Sequence, residues 1–475
     1  MYKATAFIDS IPILTDKEIL IKSPIDNSEV GYIPALNEEQ ILEAFEVANK
    51  AFKNWSQVDH KTKSKYLLAF AAKLREHAFV LQNILHRETG KSLESAKEEI
   101  IRSADYIVES VHAYSDLVEN PEEYSYENNV LIPKNITATY LRVPLGVVLT
   151  ISPFNYPVNL MITKVVPAIL AGNTVVHKSA MQGSLSGWYV AKLFNELTVD
   201  EYLITPGVLN YVTGKGSEIS KALIKSPHIK ALSFTGSTEI GKEIGSQLAN
   251  IPKQLELGGH NSAIVLKDAD LSLAISEILK GAFGFSGQRC TAIKKVFVSS
   301  EIYERFIELF MKELKDFPPL QEPLINESAV AKAKLFYEDA LNKGANLLSG
   351  ELNIRNNLVS PIVFENVTDE MFISSEELFA PVIALRTFKD IKEAISLCNK
   401  SNYGLQASIF SENIEDSSQL ALSLECGRIN INSAPSRSPD ILPFLGVKDS
   451  GMEVQGIKNS LYFFTKFKGI VYKKV

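Results

Sequence analysis

The spacing of apolar residues divides this chain into a helical first part and a longer part in which strands and helices alternate. Apolar residues recur at three- and four-residue intervals over 38–55 and 61–89, and a further helical pattern covers 93–117. The polar segment 119–123 contains a proline and interrupts this pattern, and 129–143 has the β-branched alternation of a strand. We therefore predict that the first 115 residues are mostly helical and that a strand follows them.

From residue 146 onwards, short apolar runs alternate with amphipathic segments. The runs predict strands at 146–151, 173–177, 208–213 and 229–234, and the segments between them predict helices at 160–171, 185–197, 217–225 and 238–249. Such a βαβ series favours a doubly wound parallel sheet. A second α/β stretch covers 255–431, and the aromatic, β-prone segment 461–472 is too apolar to remain exposed.

Composition narrows the class of protein. A chain of 475 residues is too long for one ordinary core, so we expect two or three domains. An apolar content of 45% with 22% charged residues is typical of a soluble globular enzyme, and a net charge of −7 argues against a nucleic-acid binder. No apolar run approaches the roughly 18–20 residues of a membrane span, and the first residues lack the apolar core of a signal peptide.

The cysteines and histidines predict neither disulfides nor a metal site. Three cysteines without a CxxC pair give no disulfide framework, which favours a reducing compartment such as the cytoplasm. We expect Cys398 and Cys426 to be packing residues. None of the seven histidines falls in an HxxxH or HExxH arrangement, so no metal is implied. His177 and His260 are expected to be hydrogen-bonded locally.

Cys290 is the strongest candidate for chemistry, in Gly284-Phe285-Ser286-Gly287-Gln288-Arg289-Cys290-Thr291. A thiol attacks only as the thiolate, which needs surroundings that stabilise negative charge. The preceding glycines allow a tight turn with exposed N–H groups, and Arg289 adds a guanidinium next to the sulfur. An inert, buried cysteine is the more common case when such a residue stands alone.

Three further segments accompany this cysteine: Ser152-Pro153-Phe154-Asn155-Tyr156-Pro157, Leu255-Glu256-Leu257-Gly258-Gly259-His260 and Glu376-Glu377-Leu378-Phe379-Ala380-Pro381. Together with the cysteine run, in this order and spacing, they resemble the aldehyde dehydrogenase superfamily. The carboxylate follows the amide by about a hundred residues, and the thiol comes 34 residues later. The resemblance covers essentially the whole chain.

The resemblance implies an α/β fold in three parts. A Rossmann-type nucleotide-binding domain would comprise 1–122 and 144–254, and an α/β catalytic domain would comprise 255–434. Residues 123–143 and 435–475 would form a β arm and C-terminal tail that pair with a neighbouring subunit in a homodimer or homotetramer. An unpartnered strand pair would be a sticky edge, which an oligomer removes. The alternative is that these segments cover the chain's own sheet.

A nicotinamide cofactor is implied by the resemblance rather than by a standard fingerprint, because the sequence contains no G-x-G-x-x-G. Gly236 and Ser237 match the family's pyrophosphate-binding turn at a helix start, where N–H groups favour phosphate. Lys178 matches the lysine that binds the adenosine ribose, and Glu377 and Phe379 match residues that hold the nicotinamide ribose and ring. Residues 179–182 contain no acid that would repel a 2′-phosphate, so NADP is favoured and NAD remains possible.

The same resemblance assigns the catalytic roles. Cys290 would attack the aldehyde carbon and form a thiohemiacetal. The Asn155 amide and the Cys290 N–H would stabilise the oxyanion. After hydride transfer, Glu256 would activate water to hydrolyse the thioester, since burial in apolar surroundings raises its pKa toward neutrality. Family members that pass the acyl group to coenzyme A generally lack this glutamate, so the free acid is the expected product.

The substrate is less constrained. Tyr156, Arg289 and Arg437 could meet at the substrate entrance, and arginine forks suit phosphate or carboxylate. The segments around these residues look closest to the non-phosphorylating glyceraldehyde-3-phosphate dehydrogenases, which convert glyceraldehyde 3-phosphate to 3-phosphoglycerate. That group has another arginine on an early helix, and the stretch taken to match it, 112–116, has none. Lactaldehyde and succinate semialdehyde are alternatives, and a catalytically silent binding or structural protein on this fold is an alternative of another class.

Overall fold

The computed structural model describes residues 1–352 and 354–474. Its helices, in chain order, are α1 Glu38–Trp55, α2 His60–Glu76, α3 Ala78–Thr89, α4 Leu93–Glu119, α5 Pro157–Leu170, α6 Ser184–Asn195, α7 Gly216–Lys225, α8 Thr238–Gln247, α9 Leu271–Phe283, α10 Tyr303–Asp316, α11 Glu327–Asn342, α12 Phe372–Ser375, α13 Ile391–Asn399, α14 Ile414–Leu422 and α15 Ile457–Phe463.

The strands are short in the first 35 residues and longer in the two central sheets. In chain order they are β1 Tyr2–Lys3, β2 Ala6–Ile8, β3 Ile11–Ile13, β4 Glu18–Lys22, β5 Glu29–Pro34, β6 Glu122–Tyr124, β7 Ile136–Pro144, β8 Val147–Ser152, β9 Thr174–Ser179, β10 Thr198–Val199, β11 Tyr202–Leu203, β12 Leu209–Val212, β13 Ile229–Thr235, β14 Lys253–Glu256, β15 Asn261–Val265, β16 Ile293–Ser299, β17 Asn346–Ser349, β18 Ile354–Arg355, β19 Leu358–Val359, β20 Ile362–Glu365, β21 Val382–Phe388, β22 Tyr403–Gly404, β23 Gln406–Phe410, β24 Arg428–Ile431, β25 Phe444–Leu445, β26 Val447–Lys448, β27 Gly451–Met452, β28 Val454–Gln455 and β29 Thr465–Lys473.

The first sheet is the predicted doubly wound one. Its order is β27-β14-β13-β8-β9-β12-β2-β3, and the five central strands from β14 to β12 are parallel. Taken along the chain, β8, β9 and β12 extend in one direction, whereas β13 and β14 extend in the other, so the order reverses between β8 and β13. Ligands of such sheets bind at the carboxyl ends of the strands beside this reversal. The predicted βαβ elements are confirmed, with ends that differ by up to three residues.

The second sheet has the order β17-β20-β21-β16-β15-β23-β24 and is parallel from β20 to β24. Helices α9 and α10 pack on one face, where Ile275, Phe283 and Phe306 are completely or almost completely buried. Strand β16 begins three residues after Cys290. The candidate nucleophile therefore lies just before one of the central strands of this sheet.

The helical prediction for the first part of the chain is right for α1 and incomplete elsewhere. Helix α1 spans the predicted 38–55, because Asn37 and Gln40 form a reciprocal capping box with hydrogen bonds of 2.9 and 3.0 Å. The predicted helix over 61–89 is two helices that meet at His77, whose ψ of 10° departs from helical geometry. The first 35 residues, which were included in the mostly helical part, instead form five short strands.

A third sheet, β29-β7-β6, shares no strand with the other two. Strand β7 begins at residue 136 rather than at the predicted 129, and it pairs with all nine residues of β29. The aromatic C-terminal segment is divided between α15, which contacts α4 and α5, and β29, which is exposed over most of its length. The Arg142 guanidinium covers the Phe467 ring at 3.9 Å.

The predicted arm and tail segments contribute strands to more than one sheet, and the predicted domain limits stay predictions. Residues 451–452, within the predicted arm and tail, pair with β14 of the first sheet. Sheet β29-β7-β6 contains Glu122–Tyr124, Ile136–Pro144 and Thr465–Lys473, and its role in assembly stays a prediction. Across residues 1–352 and 354–474, no helix is long and apolar enough to cross a membrane.

Candidate active site

Cys290 directly follows a strained turn between α9 and β16. Residues Gly284–Gly287 form a single 3₁₀ turn in which Phe285 and Ser286 have φ angles of 52° and 51°. Left-handed backbone is costly for residues other than glycine, so surrounding contacts must hold this turn in place. Cys290 itself is only partly buried and therefore accessible from the cavities described below.

The contacts that hold the turn come from the segment 322–325. The Gln288 side-chain amide donates to the carbonyl of Pro323 at 3.0 Å, and its side-chain oxygen accepts from the N–H of Ile325 at 2.8 Å. The Ser286 hydroxyl donates to the carbonyl of Glu322. A buried network of this kind fixes one arrangement of the backbone that leads to the thiol.

Two glycines after Glu256 allow the end of β14 to lie against the same turn. Glu256 is the last residue of β14 and is 2% exposed. A Cβ on Gly259 would lie 2.1 Å from the carbonyl oxygen of Cys290, so only glycine fits this close approach. The N–H of Gly259 donates to the carboxylate of Glu377 at 2.7 Å. The glycine pair therefore explains how three candidate residues from distant segments come together.

Asn155 lies in the loop after β8 and is buried beside the thiol. Its amide nitrogen donates to the carbonyl of Gln288 at 3.0 Å, and its oxygen accepts from the N–H of Tyr156 at 3.1 Å. The second hydrogen of this amide and the N–H of Cys290 have no hydrogen-bond acceptor within the described part of the chain. Both donors are thus available to an oxyanion formed at this position.

One cavity of about 70 Å³ brings together all of the predicted catalytic and substrate-binding residues. Its lining includes Asn155, Tyr156, Glu256, Arg289, Cys290 and Arg437. Both carboxylate oxygens of Glu256 lack a hydrogen-bond partner in the described residues. Burying a carboxylate without hydrogen bonds costs folding free energy, so such a residue is usually present for a function. Glu256 is therefore the clearest indication of a reactive centre here.

Arg289 and Arg437 are both partly engaged by the protein. The guanidinium of Arg289 donates to the carbonyls of Lys280 and Gly281 near the end of α9, at 3.0 and 2.7 Å. That of Arg437 donates to the side chain of Gln455 at 2.6 Å and lies over the Phe444 ring at 4.8 Å. The Nε of Arg289 is buried and has no hydrogen-bond partner among the described residues, whereas the Nε of Arg437 faces the carboxylate of Asp440 at 3.5 Å. Both cations are thus held in place by protein contacts.

A further arginine, which sequence reasoning missed, lines this cavity. It is Arg102, which lies on helix α4 ten residues before the stretch 112–116 begins. Its guanidinium forms a two-pronged ion pair with Asp440 at 2.5 and 2.7 Å, and Asp440 also lies 3.5 Å from Arg437. The carboxylate fixes both cations and neutralises only one of them.

A buried ion pair lies beneath Tyr156. Lys91 and Glu99 pair with no exposure of either side chain, and the Lys91 ammonium is 3.7 Å from the centre of the Tyr156 ring. Glu99 also accepts from the N–H groups of Val158 and Asn159 at 2.9 and 3.0 Å, which caps the start of α5. Sequence reasoning missed this pair, which fixes the ring and the adjacent loop.

A second cavity of about 420 Å³ contains all the predicted cofactor residues: Lys178, Gly236, Ser237, Glu377 and Phe379. It also reaches Asn155 and Cys290, which line the smaller cavity as well. The thiol therefore lies where the two spaces meet. It occupies the carboxyl-end side of the first sheet, close to the β8–β13 reversal.

The larger cavity has the features that a dinucleotide needs. The Lys178 side chain is almost fully buried and has no hydrogen bond or ion pair in the described chain. Burial lowers its pKa to about 8. Helix α8 opens at Ser237 without a side-chain cap, so its first N–H groups remain free. A Cβ on Gly236 would lie 2.6 Å from the Phe234 ring. These residues fit a phosphate-bearing nucleotide.

The pKa of the Glu256 carboxyl is shifted toward neutrality. Burial raises the pKa of Glu256 to about 8, although Arg437 and Lys164 oppose this shift. Burial also lowers the pKa of Lys164 to about 7, and its ammonium donates to the Thr235 hydroxyl at 2.6 Å. Lys164 is another residue that sequence reasoning missed, because a single lysine in an apolar helix gives no local signal. A carboxyl that titrates near neutrality suits general base catalysis.

The surroundings of the Cys290 thiol disfavour the thiolate, contrary to the prediction from the sequence. Burial, with the nearby carboxylates of Glu377 and Glu256, raises the pKa of Cys290 to about 12, and the two arginines only partly offset this. The guanidinium of Arg289 points toward the end of α9. In this arrangement the thiol is protonated at neutral pH, so its activation requires a base.

The local hydrogen bonds predicted for His177 and His260 are present. His177 is hydrogen-bonded to the hydroxyls of Thr150 and Ser152, and His260 to a backbone carbonyl. Cys398 is buried, Cys426 is half-buried, and both are free. No group of three or more potential metal ligands occurs within 1–352 and 354–474.

Comparison with known proteins establishes the family. The family model described as "Aldehyde dehydrogenase family" matches residues 14–470. This chain belongs to the aldehyde dehydrogenase family. It is similar to the NADP-dependent glyceraldehyde-3-phosphate dehydrogenase of Streptococcus equinus, with 37% identity over 97% of this chain and 96% of that protein.

Other relatives bear on fold and substrate. The crystal structure of NADP-dependent glyceraldehyde-3-phosphate dehydrogenase from Bacillus halodurans C-125 complexed with NADP has a TM-score of 0.96 and 38% identity, with complete coverage of both chains. The lactaldehyde dehydrogenase of Methanococcus maripaludis is 32% identical over 99% of this chain and 100% of that protein. The predicted α/β aldehyde dehydrogenase fold is confirmed.

Proposed function

We propose that this protein oxidises glyceraldehyde 3-phosphate to 3-phosphoglycerate with NADP, through a thioester on Cys290. The observation that carries this proposal is the cavity that joins Cys290 and Glu256 to Arg102, Arg289 and Arg437. The names of the relatives from Streptococcus equinus and Bacillus halodurans support the same substrate and cofactor.

The first chemical step is attack by Cys290. After a base has transferred the thiol proton to solvent, the sulfur forms a bond to the aldehyde carbon while the carbonyl π electrons move to oxygen. The free Asn155 amide hydrogen and the Cys290 N–H then bind the oxyanion. Loss of one such donor typically raises the barrier by about 3 kcal/mol.

The second step returns the thiol. When bound, NADP supplies the ring that accepts the hydride, and the acyl group is left on sulfur as a thioester. Glu256 then removes a proton from water, the water oxygen bonds to the acyl carbon, and the carbon–sulfur bond breaks to release the acid. Because neither carboxylate oxygen of Glu256 has a hydrogen-bond partner among the described residues, both can hold this water.

For the cofactor, Lys178 and the start of α8 would hold the nucleotide, with Glu377 and Phe379 toward the thiol. Residues 179–182 bring no carboxylate next to Lys178, so the ammonium can pair with a 2′-phosphate. NADP is therefore preferred to NAD in this proposal.

For the substrate, the charges around the smaller cavity suit a phosphate dianion. Three arginines contribute three positive charges and Asp440 contributes one negative charge, which leaves a net charge of +2. Tyr156 adds a hydroxyl group next to Arg102. Lactaldehyde is the second candidate, supported by the relative from Methanococcus maripaludis, but it offers no anion for these cations. Succinate semialdehyde would present a single carboxylate.

The test is substrate preference in the wild-type enzyme and in Arg437→Ala, followed by absorbance of the reduced nicotinamide with NADP and with NAD. A charge-assisted hydrogen bond contributes roughly 1.5–3 kcal/mol, so this variant should lower kcat/KM for glyceraldehyde 3-phosphate about 10- to 150-fold. Lactaldehyde and propionaldehyde should lose little.

Arg428→Ala is the matched control, because Arg428 donates to the carbonyls of Ser436 and Ser438 in the same segment but does not line the cavity. It should affect charged and neutral aldehydes equally. If Arg437→Ala also did so, Arg437 would be a structural residue. A wild-type preference for lactaldehyde would refute the triose-phosphate proposal.

Assembly and location belong to this proposal as well. We infer that β29-β7-β6 is the oligomerisation arm of a homodimer or homotetramer, because β29 exposes Phe467, Val471 and Tyr472. Residues 1–122 with 144–254, and 255–434, would be the nucleotide-binding and catalytic domains. A cytoplasmic location is consistent with three free thiols.

A further inference from the structure

Two successive lysines of strand β16 have opposite surroundings. Lys294 points toward the active-site turn, where its ammonium donates to the carbonyls of Gly287 and Ala380 at 3.0 and 2.8 Å. Lys295, the next residue, points to the other face of the sheet, as neighbouring strand residues do. It is 6% exposed and has no hydrogen bond or ion pair within the described residues, although the thiols of Cys398 and Cys426 and the carboxylate of Asp369 are near enough to interact with its charge.

The Lys295 side chain faces a cavity of about 140 Å³ that is separate from both cavities at the thiol. The entrance carries Arg386, Lys400 and Asp369, in which Asp369 pairs with Arg386 at 3.0 Å and with Lys400. These four side chains give a net charge of +2. Since burying an unpaired ammonium is costly, a ligand that satisfies Lys295 would recover that free energy.

The neutral groups of the cavity are also donors. Ser374, Ser375 and Asn402 line it, and none of their side chains has a hydrogen-bond partner within 1–352 and 354–474. The remaining lining is apolar, including Phe297 and Leu397, apart from Ser401, whose hydroxyl accepts from the N–H of Tyr403. Pockets for larger ligands are typically about 300–1,000 Å³, so this space suits a small group.

We propose that this cavity is a second anion site, which binds a phosphoryl group through Lys295 at its floor and Arg386 and Lys400 at its entrance. A dianion matches the net charge of +2, and the hydroxyl and amide groups supply neutral donors for its remaining oxygens. The group comes either from free phosphate or from a small phosphorylated metabolite.

The position of the site connects it to the candidate active site. Ser375 precedes Glu377 by two residues, and Lys295 follows Lys294, which holds the turn before Cys290. An anion bound here therefore contacts the two segments that also line the cofactor cavity. The inference does not depend on which aldehyde or cofactor the protein uses.

The test is titration calorimetry of the full chain with inorganic phosphate and, separately, with glycerol 3-phosphate, at constant ionic strength. Arg437→Ala serves as the parent, since it weakens any phosphate site at the thiol. In this background Lys295→Met should weaken phosphate binding at least about tenfold. Lys312→Met, which removes an exposed lysine of α10, should leave it unchanged. Tighter binding of glycerol 3-phosphate than of phosphate would identify a metabolite as the ligand, and the reverse would identify free phosphate.

Thermal unfolding provides a second measurement with a distinctive sign. Without phosphate, Lys295→Met should unfold at a higher temperature than its parent, because methionine removes an unpaired buried charge at similar volume. Phosphate should then stabilise the parent more than the variant. The site is refuted if Lys295→Met and Lys312→Met respond equally to phosphate, or if sodium sulfate and sodium chloride of equal ionic strength give the same response as phosphate.

Discussion

The pH dependence of turnover is the sharpest test of the role of Glu256. Burial raises the pKa of this carboxyl to about 8, so only about one molecule in ten carries the ionised base at pH 7. If thioester hydrolysis limits turnover, kcat should rise roughly fivefold from pH 7 to pH 8 and about tenfold from pH 7 to pH 9. This increase in kcat follows deprotonation of the carboxyl. With a solvent-exposed glutamate as the base, the increase would be complete below pH 6.

Glu256→Gln should remove this rising limb. The glutamine has similar volume and cannot accept a proton from water, so hydrolysis slows while the first hydride transfer continues if another base activates Cys290. Rapid mixing should then show a burst of reduced nicotinamide of one per site, followed by a slow steady state whose rate does not rise between pH 7 and pH 9.

Two outcomes would contradict this reasoning. A wild-type kcat that stays constant from pH 6.5 to pH 9, with hydrolysis shown to be rate-limiting, would mean that the carboxyl is not the base. Absence of any burst in Glu256→Gln would mean that the carboxylate is needed earlier, to deprotonate a thiol whose pKa is raised to about 12. Burst amplitude therefore distinguishes one role of Glu256 from two.

Two further predictions concern the thiol and its supporting pair. Cys290→Ser should retain cofactor binding, measured by nicotinamide titration, and should keep less than a few per cent of activity, because serine is a weaker nucleophile than the thiolate; substantial activity would make Cys290 a packing residue. Lys91→Met should destabilise the protein by about 3–5 kcal/mol in urea unfolding, because it leaves Glu99 buried without its partner. Adding Glu99→Gln should recover part of this loss, and an equal loss in both variants would mean that the pair is not coupled.

Local signals in the sequence predict the elements that have strong caps or periodicity. Helix α1 is correct to the residue because Asn37 marks its start, and the βαβ series is correct because each strand is a buried apolar run. No proline or glycine marks the break at His77, and the first three strands, with two or three residues each, are too short to show alternation. Tertiary packing, rather than local preference, decides these segments.

The candidate site divides in the same way. Cys290, Glu256 and Asn155 stand in distinctive runs, whereas Arg102 is an ordinary residue of an amphipathic helix. Its partner Asp440 is 338 residues away, so their pairing becomes visible only in three dimensions. The raised pKa of Cys290 likewise depends on burial and on carboxylates from two other segments. No local pattern around the thiol contains that information.

The left-handed turn before Cys290 has a consequence for engineering this enzyme. Phe285 and Ser286 each adopt a conformation that costs on the order of 1–3 kcal/mol, and the contacts of Gln288 retain it. Replacing Ser286 with glycine would relieve the left-handed strain at this position but would remove the hydroxyl that donates to the carbonyl of Glu322. The same change would give the thiol more conformational freedom. Screens for thermostable variants should therefore measure turnover at each round, because the strained backbone that affects stability also positions the nucleophile.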